Sequence, residues 1–132
     1  MTPVVILDAS ALLAVALHER GRDVVLAHIQ NSASGVLIHS VNVFEVVTKL
    51  CRKGLSEAEA WGIMNLHDVM QIDEVESEVL QIAVRIKNAT SDLSLGDCFC
   101  IALAEYSGGK CITSDKRFRE ARTTATISLF RE

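Results

Sequence analysis

Short unbroken apolar runs alternate along the chain with longer stretches in which apolar residues recur every three or four positions. The first run, Val4-Val5-Ile6-Leu7, is rich in β-branched residues and stops at Asp8, as expected of a strand buried on both faces of a parallel sheet. Residues 11–18 then read as a helix with Ser10 as its cap. A helix over residues 24–29 leads to Gly35, and Val36-Leu37-Ile38 is the second strand. Residues 42–52 form a helix stopped by Gly54, which stands where a left-handed C-terminal residue is wanted. Residues 56–67 form another, opened by the capping pair Ser56 and Glu59, with Trp61 assigned to the core. Residues 69–72 are a short third strand. Apolar positions at Val75, Val79, Leu80, Ile82, Ala83 and Ile86 fit an amphipathic helix over residues 75–87. The helix over residues 95–106 differs, because Cys98 to Ala104 is apolar on every side and must be buried all round. Gly108-Gly109 ends it, Cys111-Ile112 is a strand, and residues 126–130 close the sheet. Strands alternating with helices predict a three-layer α/β/α domain with a mostly parallel central sheet.

At 132 residues and 49% hydrophobic, the sequence reads as one domain over residues 1–132 with a sizeable core. The stretch before Asp8 has no basic segment and only four apolar residues, so it is not expected to be a signal peptide, and no apolar run is long enough to span a membrane. Cys51, Cys98, Cys100 and Cys111 contain no C-x-x-C pair and read as reduced core residues of a cytoplasmic protein. Cys98 and Cys100, two apart on a helix, point to nearly opposite sides and cannot share one zinc ion. His18, His28, His39 and His67 show no ligand spacing, and none is assigned a catalytic role.

Charge turns the reading toward four acids. Asp8 follows the first strand, Glu45 lies early in the helix after the second, Asp97 is in the first turn of the buried helix, and Asp115 follows the strand at Cys111-Ile112. In open parallel sheets, sites form where strands end and helices begin. Glu45 and Asp97 both sit within apolar helical runs, where an unmet carboxylate is costly. Asp97 also has a purely structural reading, since Ser94 three residues earlier completes a capping box. The formal net charge of -4 equals these four acids, for without them acids and bases balance at 13 each. Carboxylates brought together raise one another's pKa unless a cation joins them. Oxygen ligands with no His or Cys favour Mg²⁺ or Mn²⁺, an ion able to activate water and stabilise charge at a phosphodiester. Ser10, Asn42, Thr113 and Ser114 are polar neighbours able to orient the acids, although capping and turn formation would also explain Ser10 and Ser114. Five of the 13 basic residues, Lys110, Lys116, Arg117, Arg119 and Arg122, flank Asp115. Of these, Lys116 and Arg117 are candidate phosphate contacts; a solvated charged loop is the alternative.

Asp8-Ala9-Ser10-Ala11-Leu12-Leu13 after a strand, Glu45 in a helix, Leu93-Ser94-Leu95-Gly96-Asp97-Cys98 opening another, and Ile112-Thr113-Ser114-Asp115-Lys116-Arg117-Phe118 near the end together resemble the PIN-domain ribonucleases. Within that family the size resembles the VapC toxins of toxin-antitoxin pairs. The resemblance covers essentially the whole chain. It implies a metal site of Asp8, Glu45, Asp97 and Asp115 supported by Thr113 and Ser10, with Mg²⁺ or Mn²⁺ as cofactor. It also implies endonucleolytic cleavage of RNA, a homodimer, and an antitoxin protein whose C-terminal segment covers the site. A nuclease of the same fold that processes other RNA or DNA differs only in substrate. A non-catalytic binding module is disfavoured by the four retained acids. Phosphatases of the haloacid-dehalogenase type place a second acid where Ser10 stands, and receiver domains carry their phosphoacceptor after a middle strand; neither pattern fits. Aromatic residues are only 5%, so base stacking is not prominent and recognition by shape and phosphate contact is expected.

Overall fold

The computed structural model describes residues 3–65 and 68–132. Five parallel strands, β1 (Val5–Leu7), β2 (Val36–His39), β3 (Met70–Ile72), β4 (Lys110–Thr113) and β5 (Thr126–Leu129), form one sheet in the order β3-β2-β1-β4-β5. Helices α1 (Ala9–Ala16), α2 (Arg22–Asn31), α3 (Ser40–Arg52), α4 (Glu57–Met64), α5 (Ser77–Ala89) and α6 (Leu95–Ser107) cover it on both sides. The predicted three-layer α/β/α architecture is the one observed. Strand residues alternate between two cores. Val5, Leu7, Val36, Ile38 and Ile112 pack with α1, α2, α3 and α4, while Ile6 and Cys111 pack with α5 and α6.

The helix expected to be buried all round is α6, in which Gly96 and every residue from Cys98 to Ala104 are buried. Its central turns are enclosed by the sheet, α5, Val41 of α3 and Phe118, while Leu95 and Tyr106 near its ends are exposed. All four cysteines are free thiols, and the Cys100 and Cys111 sulfurs lie 3.1 Å apart in this core. Gly54 has φ 106° at the end of α3, as its position in the sequence required.

Several expectations are corrected. Ser10 does not cap α1. Asp8 does, accepting from the Ala11 amide, so the helix starts at Ala9 rather than residue 11. Trp61 is 46% exposed rather than core. In α4 only Ala60 is buried, and the next side chain, about 100° further round a helix of 3.6 residues per turn, turns away from it. Leu80 is also exposed, and Val75 lies before the start of α5 at Ser77 and faces solvent. The end of the helix expected to reach His67 lies outside the described residues; the described part stops at Met64. Among the described residues no helix is long and apolar enough to cross a membrane.

Candidate active site

The sheet order reverses between β1 and β4, because the chain winds from β1 to β2 and β3 on one side and returns to β4 and β5 on the other. At such a reversal, the loops at the strands' carboxyl ends separate and leave a crevice. Asp8 ends β1 and Thr113 ends β4 at this place. Asp8, Ser10, Asn42, Glu45, Asp97, Ser114, Asp115, Lys116 and Arg117 line the resulting cleft of about 620 Å³, together with Lys49 and Ser94. All four predicted acids are therefore drawn to one cleft.

Asp8 is 5% exposed and is held by three donors. Oδ1 accepts from the Ser10 hydroxyl at 2.7 Å and the Ala11 amide at 2.9 Å, and Oδ2 accepts from the Thr113 hydroxyl. Thr113 Oγ1 in turn accepts from the Asp115 amide, and Ser10 Oγ accepts from the Ser114 amide. Two hydroxyls thus sew the end of β1 to the loop after β4. Thr113 and Ser10 both donate to Asp8, whereas Ser114 contributes through its backbone amide.

Asn42 lies on the face of α3 that carries Glu45. Its Nδ2 donates both to Glu45 Oε1 and to the Gly96 carbonyl of α6, each at 3.1 Å. The amide ties two helices and one acid together. Gly96 completes this contact, since a Cβ there would overlap the Glu45 carboxyl, 2.7 Å from its Cδ. Ser94 and Asp97 form the anticipated capping box, with the Ser94 amide donating to Asp97 Oδ2 and the Asp97 amide to Ser94 Oγ. Ser56 and Glu59 make the same box at α4, but neither lines the cleft, whereas Ser94 and Asp97 both do. Asp115 caps the short 3-10 helix Lys116–Glu120 and receives the Arg117 guanidinium on both oxygens, with Nη2 to Oδ2 at 2.7 Å. Arg117, although exposed, is thus engaged by Asp115, and Lys116 is a second exposed cation of that rim.

Burial, with the negative charge of Asp97 adding to it, pushes the Asp8 carboxyl up to about 6 despite its three donors. Burial and Asp97 likewise raise Glu45, against the opposing help of Asn42 and Lys49. The Arg117 guanidinium holds Asp115 below its ordinary value. Asp8 and Glu45 therefore each feel the negative charge of Asp97; Lys49 offsets it at Glu45, and Arg117 faces Asp97 from the other rim. As they stand, no three His, Cys, Asp or Glu side chains among the described residues are close enough to hold one ion. The donor chemistry nevertheless suits a hard divalent cation: uncompensated carboxylates, and Asn42 Oδ1 buried in the cleft wall without a partner.

The raised Asp8 carboxyl has a thermodynamic consequence. Its folded-state value near 6 exceeds the ordinary 3.8, so the protonated form favours folding. That contribution is complete below about pH 4 and is lost as the pH rises through 6. At about 1.4 kcal/mol per unit, the loss approaches 3 kcal/mol. In the presence of EDTA, Asp8→Asn is expected to gain on the wild type by up to about that amount between pH 4 and pH 8, measured by urea unfolding. A stability difference independent of pH would contradict the burial of an uncompensated carboxylate here.

Two contributors were not anticipated from the sequence. Gly96 carried the weak signal of a glycine in the first turn of a helix, where it costs stability without a packing reason. Lys49 follows Glu45 by four residues, the spacing that places both on one helix face.

A doubly wound parallel sheet with an acid-lined cleft at its strand-order reversal places the chain among the open α/β folds that form their sites at the strands' carboxyl ends. Residues 5–123 match the PIN domain, and the chain belongs to that family. No curated protein matches it by sequence. Solved structures of similar fold include VapBC2 from Rickettsia felis bound to a DNA fragment from its promoter, at 11% identity and TM-score 0.73, covering 96% of this chain and 98% of that one. A toxin-antitoxin complex from Klebsiella pneumoniae is similar at 14% identity and TM-score 0.72, covering 97% and 98%. VapC20 of Mycobacterium tuberculosis, a toxin that cleaves the sarcin-ricin loop, is similar at 16% identity and TM-score 0.68, covering 87% and 92%.

Proposed function

We propose that this PIN domain is a divalent-metal-dependent endoribonuclease and the toxin of a VapBC-type pair. The observation that carries the reading is the convergence of Asp8, Glu45 and Asp97 from three separate elements on one cleft, with Asp8 and Glu45 held above their ordinary pKa by burial and by the charge of Asp97. Such an arrangement opposes folding unless it serves a cation, and perturbed carboxylates in a cleft mark functional sites.

Asp8, Glu45 and Asp97 would hold Mg²⁺ or Mn²⁺, with Asp115 joining directly or through water. When bound, the ion supplies electrophilic stabilisation of the phosphodiester and an activated water. The chain does the positioning. Thr113 and Ser10 fix both oxygens of Asp8, so that its rotamer is set before any ligand arrives. Asn42 holds Glu45 against Gly96 and fixes α3 relative to α6. Ser94 occupies Oδ2 of Asp97 and leaves Oδ1 without a donor from the cap. The Asp115–Arg117 pair stiffens the rim on which Lys116 can meet a phosphate.

RNA as substrate, a homodimer, and an antitoxin that covers the cleft complete the reading; VapBC and toxin-antitoxin complexes among the proteins of similar fold support it. Incubation of the purified protein with structured and single-stranded RNA tests it. Cleavage is expected with Mg²⁺ or Mn²⁺, to stop with EDTA, and to return when the metal is added in excess. Cleavage that persists through chelation would overturn the mechanism, and none under any metal would overturn the nuclease reading.

A further inference from the structure

We propose that the substrate strand leaves the acid cleft along α3, over a basic track formed by Lys49, Arg52 and Lys53. The proposal rests on the nuclease reading above and adds where the backbone lies.

Asn42, Glu45, Lys49 and Arg52 follow one another on α3 at intervals of three, four and three residues, which keeps them on one helix face. The face changes character along its length. Asn42 is buried, Glu45 half-buried, and Lys49 and Arg52 exposed, so the line starts inside the cleft and emerges at the surface. Lys49 is close enough to Glu45 to lower its pKa. From Glu45 to Arg52 the helix rises about 10 Å at 1.5 Å per residue, and Lys53 extends the line at the C-cap.

The space beside the track is continuous with the site. Ser10 and Lys49 line the acid cleft and also an adjoining groove of about 330 Å³, whose other walls are Leu13, Leu17, Arg52 and Lys53. Glu19 and Arg131 lie at the far side of that groove and pair with each other at 3.4 Å. No ion pair among the described residues engages Lys49, Arg52 or Lys53. Cations in the last turn of a helix are favoured by its dipole, which accounts for their sign. It does not account for their alignment with Glu45 or for the groove beside them.

The opposite rim is poorer in available charge, since Arg117 is committed to Asp115. A phosphodiester chain held at the acids therefore finds its free cations on the α3 side, with Lys116 across the cleft. Among the described residues no aromatic side chain lines the groove, so the contact is with phosphates and sugars and carries little base preference.

The test uses Asp8→Asn protein, which is not expected to cut, and a fluorescein-labelled single-stranded oligoribonucleotide of mixed sequence. Affinity is measured by anisotropy from 50 to 300 mM salt with and without the added changes Arg52→Ala and Lys53→Ala. Each phosphate contact contributes about 0.7 to the slope of log affinity against log salt for single strands, so the slope is expected to become shallower by about 1.4. Arg122→Ala, on the connection to β5, should leave it unchanged. An unchanged slope in the Arg52/Lys53 variant, with the wild type still cleaving RNA, would overturn the track and spare the nuclease reading. A wild type that neither binds nor cuts the RNA would overturn both. Equal loss in the Arg122 variant would show unspecific attraction and also overturn the track.

Discussion

Gly96→Ala is expected to yield a protein that folds normally and has lost about a hundredfold in RNA cleavage. The added methyl would occupy the space of the Glu45 carboxyl and press on Asn42 Nδ2, 3.3 Å away. Glu45 is the free end of a flexible side chain, so the clash is relieved by moving the carboxyl rather than the helices. The backbone gains about 0.5–1 kcal/mol from replacing glycine within a helix, which offsets the lost Asn42 bond of about 1 kcal/mol. Catalytic geometry has no such tolerance, and a misplacement of about 1 Å can cost 10²-fold. Thermal unfolding and a cleavage assay on the same preparation separate the two effects. Full activity in this variant would show that the position of Glu45 is not required.

Asp97→Asn is expected to do the same by another route. The asparagine keeps a side-chain oxygen to accept from the Ser94 amide, so the cap of α6 survives and stability changes by less than about 1 kcal/mol. Only the negative charge is removed. Loss of groups that merely support metal ligands costs about 10–100-fold, so loss of a ligand should cost more than a hundredfold in cleavage. Near-normal activity would reduce Asp97 to a helix cap.

Most of the frame was readable because each element announced its burial. The β-branched runs of β1 and β2, the unbroken apolar stretch of α6, and the glycines after α3 and α6 each have one comfortable solution in a parallel sheet covered on both faces. The acids were readable for the opposite reason, since Glu45 and Asp97 contradict the apolar helices that carry them. What was not readable depends on contacts distant in sequence. Ser10 reads as a cap by local rules, but the carboxylate two residues earlier wins that role because β1 delivers it to the first turn of α1. Trp61 reads as core by type, yet α4 faces the core with Ala60, Ile63 and Met64, and Trp61 lies off that face. The clasp of Asn42 on Gly96 joins residues 54 apart, and no spacing rule within α3 or α6 predicts it. The ion pair between Asp115 and Arg117 joins residues two apart, and the 3-10 helix that starts at Lys116 aims both side chains.

The central claim is that Asp8, Glu45 and Asp97 converge on the cleft to hold a cation. Calorimetric titration of Mn²⁺ into the apo protein at pH 7, repeated with Asp8→Asn, tests it most directly. Saturable binding by the wild type, weakened at least tenfold by the substitution, is the expected result. At pH 6 the binding should release protons, because Asp8 is then partly protonated. Equal binding by both proteins, or none by either, would contradict the account.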